Sequence, residues 1–217
     1  MPTGQTAIVD NNGVKAVFTM ERSYLDLIGS TRVGERTREV LVERAQPIDP
    51  SYKPQTVSHA QFATLDAIVQ LLIPQDNAEE PVDIAAAFDR GRSMQKGDGW
   101  RYANMPPDDV ALGIGLASVE STAQFEHACP FHELDAGQQT ALLHRIQLGA
   151  VMWTQIDAKR WFEDLLAEVT EIYVALPSTL AAIGFSGIAF LPRWPEVGLD
   201  TARSWEPVSI PDRKSGL

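Results

Sequence analysis

Two histidines and the chain's one cysteine stand close together in His127-Ala128-Cys129-Pro130-Phe131-His132. Two imidazoles and a thiolate are donors that hold zinc, and a thiolate beside an imidazole is also a pair that makes a cysteine nucleophilic. A structural zinc site wants four ligands, and a catalytic one wants three with supporting hydrogen bonds. Pro130 stiffens this run and no obvious fourth donor is nearby, so the simpler expectation is a helix-ending loop with surface histidines. A stand-alone metal- or thiol-dependent enzyme using His127, Cys129 and His132 stays open as the alternative.

A second set of reactive groups is acidic. Asp164, Glu168 and Glu171 share one side of a helix by their spacing. Paired acids do acid/base work or hold two irons inside a bundle, but di-iron bundles use Glu-x-x-His, which does not occur here. The apolar stripe of the same helix points elsewhere, so these acids are expected on a solvated face. Gly113-Ile114-Gly115-Leu116-Ala117-Ser118 is a partial dinucleotide fingerprint. It lies inside a predicted helix, with no strand before it and no third glycine, and reads as chance. There is no Walker A motif, no Cys-x-x-Cys-His and no Gly-x-Ser-x-Gly elbow. The expectation is that this chain carries no catalytic, cofactor-binding or metal residues, and that any flavin or haem belongs to another chain.

The large aromatics are more telling. Trp100 and Tyr102 flank Arg101 in a Gly- and Pro-rich stretch, and Trp194 and Trp205 stand among prolines. Tryptophan, tyrosine and arginine are enriched at interface anchors, so these residues are predicted to meet a partner. The competing expectation is that the loops fold back and plug the ends of the bundle. Trp153 and Trp161 fall on predicted helices, where core packing accounts for them.

Helices must position most of this. Gly34 to Ala45 reads as a short one. Ser58 with Gln61 is a capping box, followed by Phe62, Leu65, Ile68, Val69 and Leu72 at helical spacing up to Pro74. Pro81 opens the next as its first residue, with Val82, Ile84, Ala85 and Phe88 inward. Pro107 pre-sets Asp108 to His127. Asp135 with Gln138 is a second capping box, for a helix running on to Met152. Ala158 to Ala175 has Trp161, Phe162, Leu165, Leu166, Val169, Ile172 and Tyr173 on one face. Ser178 caps a last short helix that Gly184 ends. Before all these, Ala7 to Phe18 has β-prone flanks around Asn12-Gly13, the signature of a hairpin that leans on its own domain or on a partner. The expected fold is all-α: an irregular bundle of about six helices, with a non-helical N-terminal arm and a C-terminal tail. Residues 1–34 form the arm, 35–186 the helical domain and 187–217 the tail.

Bulk properties narrow the partners. The 217 residues are 44% hydrophobic, enough for a sizeable core. A formal charge of -11 without a basic run disfavours nucleic acid and anionic membrane surfaces. One cysteine forbids an internal disulfide, the longest apolar windows are too short for a bilayer, and no secretory or twin-arginine pattern opens the sequence. A cytoplasmic location is the expectation.

Four stretches, taken in order, resemble the gluconate 2-dehydrogenase subunit 3 family: Phe62 to Pro74, Gly97 to Ala103 with Pro106-Pro107-Asp108, Pro130 to Gln139, and Trp161 to Leu166 continuing to Tyr173 and Ile183-Gly184-Phe185. The likeness spans roughly residues 56–200. It implies a small non-catalytic subunit that helps a large FAD-containing dehydrogenase of the glucose–methanol–choline type to fold, load flavin or be exported. Such enzymes oxidise sugars, sugar acids or glycosides, some passing electrons to a cytochrome or another acceptor. Relatives often begin with a twin-arginine signal, which is not seen here. The remaining alternative is a free helical adaptor module.

Overall fold

A computed structural model describes residues 4–9, 15–20, 22–44, 49–75, 81–94, 105–185 and 187. Among these residues there are eight α-helices, one single-turn 3-10 helix and a two-stranded hairpin. Strands β1 (Gly4–Val9) and β2 (Lys15–Met20) pair antiparallel, in a register running from Gly4 opposite Met20 to Val9 opposite Lys15. The hairpin is the one expected; its Asn12-Gly13 turn lies outside the described residues. It leans on its own chain, β1 against α1 (Arg22–Gly29) and β2 against α8 (Pro177–Ala182).

Helix α1 corrects the expectation that the arm is non-helical. Tyr24, Leu25 and Ile28 make its buried face, and with Val33 they meet Leu41 and Val42 of α2 (Glu35–Arg44) in a small separate core. Leu180 and Ala181 of α8 close that core from the far end of the sequence. Arg38 ties the turn between the two helices by donating to the carbonyls of Ile28, Ser30 and Val33 at 3.0–3.1 Å.

The main body gathers around α7 (Ala158–Val174), which packs on α3 (His59–Leu72), α4 (Ile84–Ser93), α5 (Asp108–His127), α6 (Ala136–Gln147) and α8. Both capping boxes form: Ser58 with Gln61 opens α3, and Asp135 with Gln138 opens α6. Three helix ends differ from the sequence reading. Pro81 lies two residues before the true cap of α4, Asp83, whose carboxylate accepts from the Ala86 N–H at 2.8 Å. Helix α6 stops at Gln147 rather than running to Met152. There Gly149 takes a φ of 70° and Ala150 donates back to the Arg145 carbonyl at 2.8 Å, the closing pattern of a Schellman motif. Ser178 is inside α8, because Pro177 takes the first helical position, where its missing N–H costs nothing, and Leu176 becomes the cap. Gly184 ends α8 as expected, with a φ of 68°.

Trp161 explains the glycine run in α5. A Cβ placed on Gly115 would sit 2.0 Å from the Trp161 indole, so α5 and α7 approach as closely as they do only because Gly115 has no side chain. Trp153 was expected on a helix and is instead in the α6–α7 loop, half-buried. Its ring stands edge-on to Trp161, centroids 5.4 Å apart. Its indole nitrogen is buried without a hydrogen-bond partner.

Candidate functional site

A cleft of about 530 Å³ lies where α2 faces α4 and α7. Val40 from α2, Ala87 and Phe88 from α4, and Ile172 and Leu176 from the end of α7 and beyond supply its apolar lining. Arg36, Glu43 and Arg44 stand on the α2 wall, with Asp83, Arg90 and Arg92 opposite, beside Glu168 and Glu171. A smaller cavity of about 100 Å³ lies against α5 and shares Phe88, Arg92, Glu168 and Glu171 with the first.

Arg92 lines both cavities and meets three carboxylates. Its guanidinium donates to Glu168 at 2.6 Å and lies 3.5 Å from Asp108 and 3.8 Å from Asp109, while resting over the Phe88 ring at 5.2 Å. Only 12% of its side chain is exposed, and 27% of that of Glu168. Glu168 was expected on a solvated face; it is drawn instead into this ion pair, which joins the end of α4 to the start of α5 and the middle of α7. The sequence signal for it was faint: two arginines in the last turn of α4 and two aspartates at the start of α5.

Asp89 is the deepest carboxylate. It is fully buried and accepts from the Tyr52 hydroxyl at 2.5 Å, the Gln55 N–H at 2.6 Å, the Thr56 N–H at 3.0 Å and the Thr56 hydroxyl. Burial alone would push its carboxyl up, but these hydrogen bonds outweigh it and hold Asp89 below the ordinary carboxylate value. The segment 49–57 is thereby knotted to α4. Arg90 lies over the Tyr52 ring, 5.1 Å from its centroid. Glu120 acts similarly on the other side of the body, accepting from the Thr64 hydroxyl and the Phe131 N–H, both at 3.1 Å. Gln139 donates to the Phe131 carbonyl at 2.9 Å, so the turn that buries Phe131 is pinned from both ends. None of these nonlocal bonds had a sequence signal.

The His127, Cys129, His132 cluster does not assemble. His127 meets Gln138 at 3.4 Å and Glu126 at 3.9 Å, whereas His132 lies 3.8 Å from Glu133. The Cys129 thiol points to Glu133 at 3.8 Å. Partial burial and that carboxylate push the thiol up, away from the thiolate a nucleophile or metal ligand requires. Among the described residues no group of three His, Cys, Asp or Glu is placed to hold a metal ion. The geometry therefore gives the metal- or thiol-enzyme alternative no support. Trp100, Arg101, Tyr102, Trp194 and Trp205, the predicted interface residues, lie outside the described residues. No described helix is long and apolar enough to cross a membrane.

Fold and site together define a helical scaffold in which Asp89, Glu120 and Glu168 hold segments of the chain to one another, with a cleft where α2 faces α4 and α7. The chain belongs to the gluconate 2-dehydrogenase subunit 3 family, which matches residues 59–190. It is thus of the kind that serves as an accessory subunit of a dehydrogenase complex. No curated protein and no solved structure matches it. The family match begins at α3, leaving α1, α2 and the hairpin outside it.

Proposed function

We propose that this chain is the non-catalytic small subunit of a complex whose large subunit is an FAD-dependent dehydrogenase of the glucose–methanol–choline type, oxidising a sugar, sugar acid or glycoside. The small subunit stabilises the flavoprotein or helps it to take up FAD. The observation that carries this reading is the family match across residues 59–190, which takes in the whole body from α3 to α8. The geometry agrees with a supporting role: Asp89, Glu120 and Glu168 each bond to segments of this same chain. Trp100, Arg101, Tyr102, Trp194 and Trp205 are the proposed anchors on the partner.

Co-expression tests it. The large subunit is produced with and without this chain, and bound FAD is read from its visible absorbance per mole of protein. The expected result is a large subunit that is poorly soluble or flavin-poor when alone. A large subunit equally soluble, loaded and active without this chain would remove the reading. In the assembled complex, Trp100→Ala or Trp194→Ala is expected to weaken association by about 2 kcal/mol or more, the loss typical of a desolvated aromatic anchor. The melting temperature of the isolated chain should hardly move. Unfolding with association intact would make those residues internal plugs.

A further inference from the structure

We propose that the outer edge of β1 pairs antiparallel with the same strand of a second copy of this chain, so that two hairpins form one four-stranded sheet about a two-fold axis. Such pairing goes beyond the accessory-subunit reading and is independent of it.

The hairpin has an unfinished ladder. Among the described residues β1 and β2 have only each other as strand neighbours. Each therefore keeps a row of backbone N–H and C=O groups on its outer edge, a template for another strand. Helices α1 and α8 touch the strands, but a helix bonds its own backbone groups internally and offers no ladder to them. A lone two-stranded hairpin is marginal in water, whereas three or more strands make a stable sheet. Natural edges are defended by lysines, prolines or bulges. Here the register runs through six successive pairs without a bulge, neither strand contains proline, and Lys15 is the one charged residue of the two strands. That charge is on β2. Strand β1, Gly-Gln-Thr-Ala-Ile-Val, has none and is the less defended edge.

Charge decides whose strand arrives. A chain of formal charge -11 repels its own copies, and such repulsion ordinarily favours the monomer. The N-terminal unit of hairpin, α1 and α2 escapes this. Residues 1–44 include six basic and six acidic residues, so the whole excess lies in the rest of the chain. Screening at physiological salt acts over about 8 Å, and two copies joined through β1 meet through the neutral part of each, where the repulsion is weakest. A two-fold axis also sets one residue opposite its own copy. At the middle of β1 that residue is Thr6 or Ala7, so no like charges face each other across the join. A charged strand of another protein gains nothing from this uncharged edge, while the identical strand matches it in length and in charge.

The test follows the mass of the full-length chain by sedimentation velocity over a micromolar-to-millimolar series. A monomer–dimer equilibrium is expected. Ala7→Lys brings like charges to the join and should raise the dimer dissociation constant at least about tenfold. Thr19→Lys adds the same charge to β2, opposite Gln5 and one strand away from the join, and should stay near wild type. Cross-linking decides the matter even if Ala7→Lys disturbs the hairpin. In a Cys129→Ser background, where a new thiol is the only one, Thr6→Cys and Ala7→Cys are oxidised in turn. Opposed residues of antiparallel strands have Cα atoms about 4.5–5.5 Å apart, within reach of a disulfide. Whichever of the two lies on the axis should give a covalent dimer, and Val17→Cys on β2 should give none. A one-chain mass throughout the series overturns the proposal. So does a dimer that tolerates Ala7→Lys and forms no link at either position, because the copies then meet elsewhere. Equal linking at Val17 would mark random collision and overturn it as well. The co-expression result for flavin loading stands or falls separately.

Discussion

In the body, Phe131, Leu116, Ile146, Leu65 and Val169 are fully buried on separate elements, and Gly115 lets α5 and α7 close directly on Trp161. In α1, α2 and the turn between them, among the residues whose burial is described, Ile28 alone is fully buried, and Tyr24, Leu25, Val33, Leu41 and Val42 keep 2–7% of their surface exposed. The polar groups differ as well. Glu120 with two bonds and Asp89 with four pin loops to the body, which also buries one unpartnered indole nitrogen at Trp153; the smaller N-terminal core buries the unpartnered Tyr24 hydroxyl, a loss not recovered on folding. The body is held by interlocks spread over five helices; the N-terminal unit is a light assembly that borrows a seat from α8. An arrangement of this kind lets one part remain a rigid scaffold while the other opens locally.

Phe131→Ala should have the largest effect, because it empties the place where α3, α5 and the 3-10 turn meet. A loss of about 3–5 kcal/mol is expected, seen as a large drop in the thermal midpoint of the whole chain. A drop worth under about 1 kcal/mol would mean that the body relaxes around the gap more readily than its pinned turn allows. Ile28→Ala probes the other core. It should remove about 2–4 kcal/mol, but locally: amides of 22–44 should exchange faster while those of α3 and α7 keep their protection. If protection falls everywhere together, the two cores are one cooperative unit and the contrast breaks.

Gly115→Ala sharpens the picture of the body. The new methyl would overlap the Trp161 ring, so α5 or α7 must shift, at about 1–3 kcal/mol. Trp161→Phe in the same chain should offset part of that loss, and purely additive effects would show that the clash is relieved elsewhere. The smallest effect is a pH dependence of the native chain, read in acid. Asp89 titrates below the ordinary value of 3.8, so its contribution to stability is complete above that pH and fades as pH falls through the lower folded value. Asp89→Asn should reduce stability at neutral pH and flatten the acid limb of a stability-against-pH curve. An unchanged acid limb would locate the acid sensitivity in other carboxylates.

What the sequence made legible was local. The capping boxes of α3 and α6 depend on residues three apart, and the stripe of α7 repeats within one helix, so both could be read directly. Helix α1 carried a readable signal in the spacing of Tyr24, Leu25 and Ile28, but the hairpin before it drew the whole arm toward a non-helical reading. The end of α6 was missed because Gly149 was passed over as a stop. The cleft and its charges were barely legible: Arg92 meets Glu168 across 76 residues, and Arg44 meets Ala175 across 131. Gly115 was visible and rightly set aside as a dinucleotide site, but its role against Trp161 depends on a helix more than forty residues away and had no local signal.

The seat of the N-terminal unit on Leu180 and Ala181 has a consequence for synthesis. A ribosome releases α1 and α2 first, but the surface that completes their core is translated only after the rest of the body. Until then Leu25, Ile28 and Leu41 have one another but lack the cover that Leu180 and Ala181 supply. The first helices made are the last to settle, and a chain cut short before α8 would leave its own beginning unfinished.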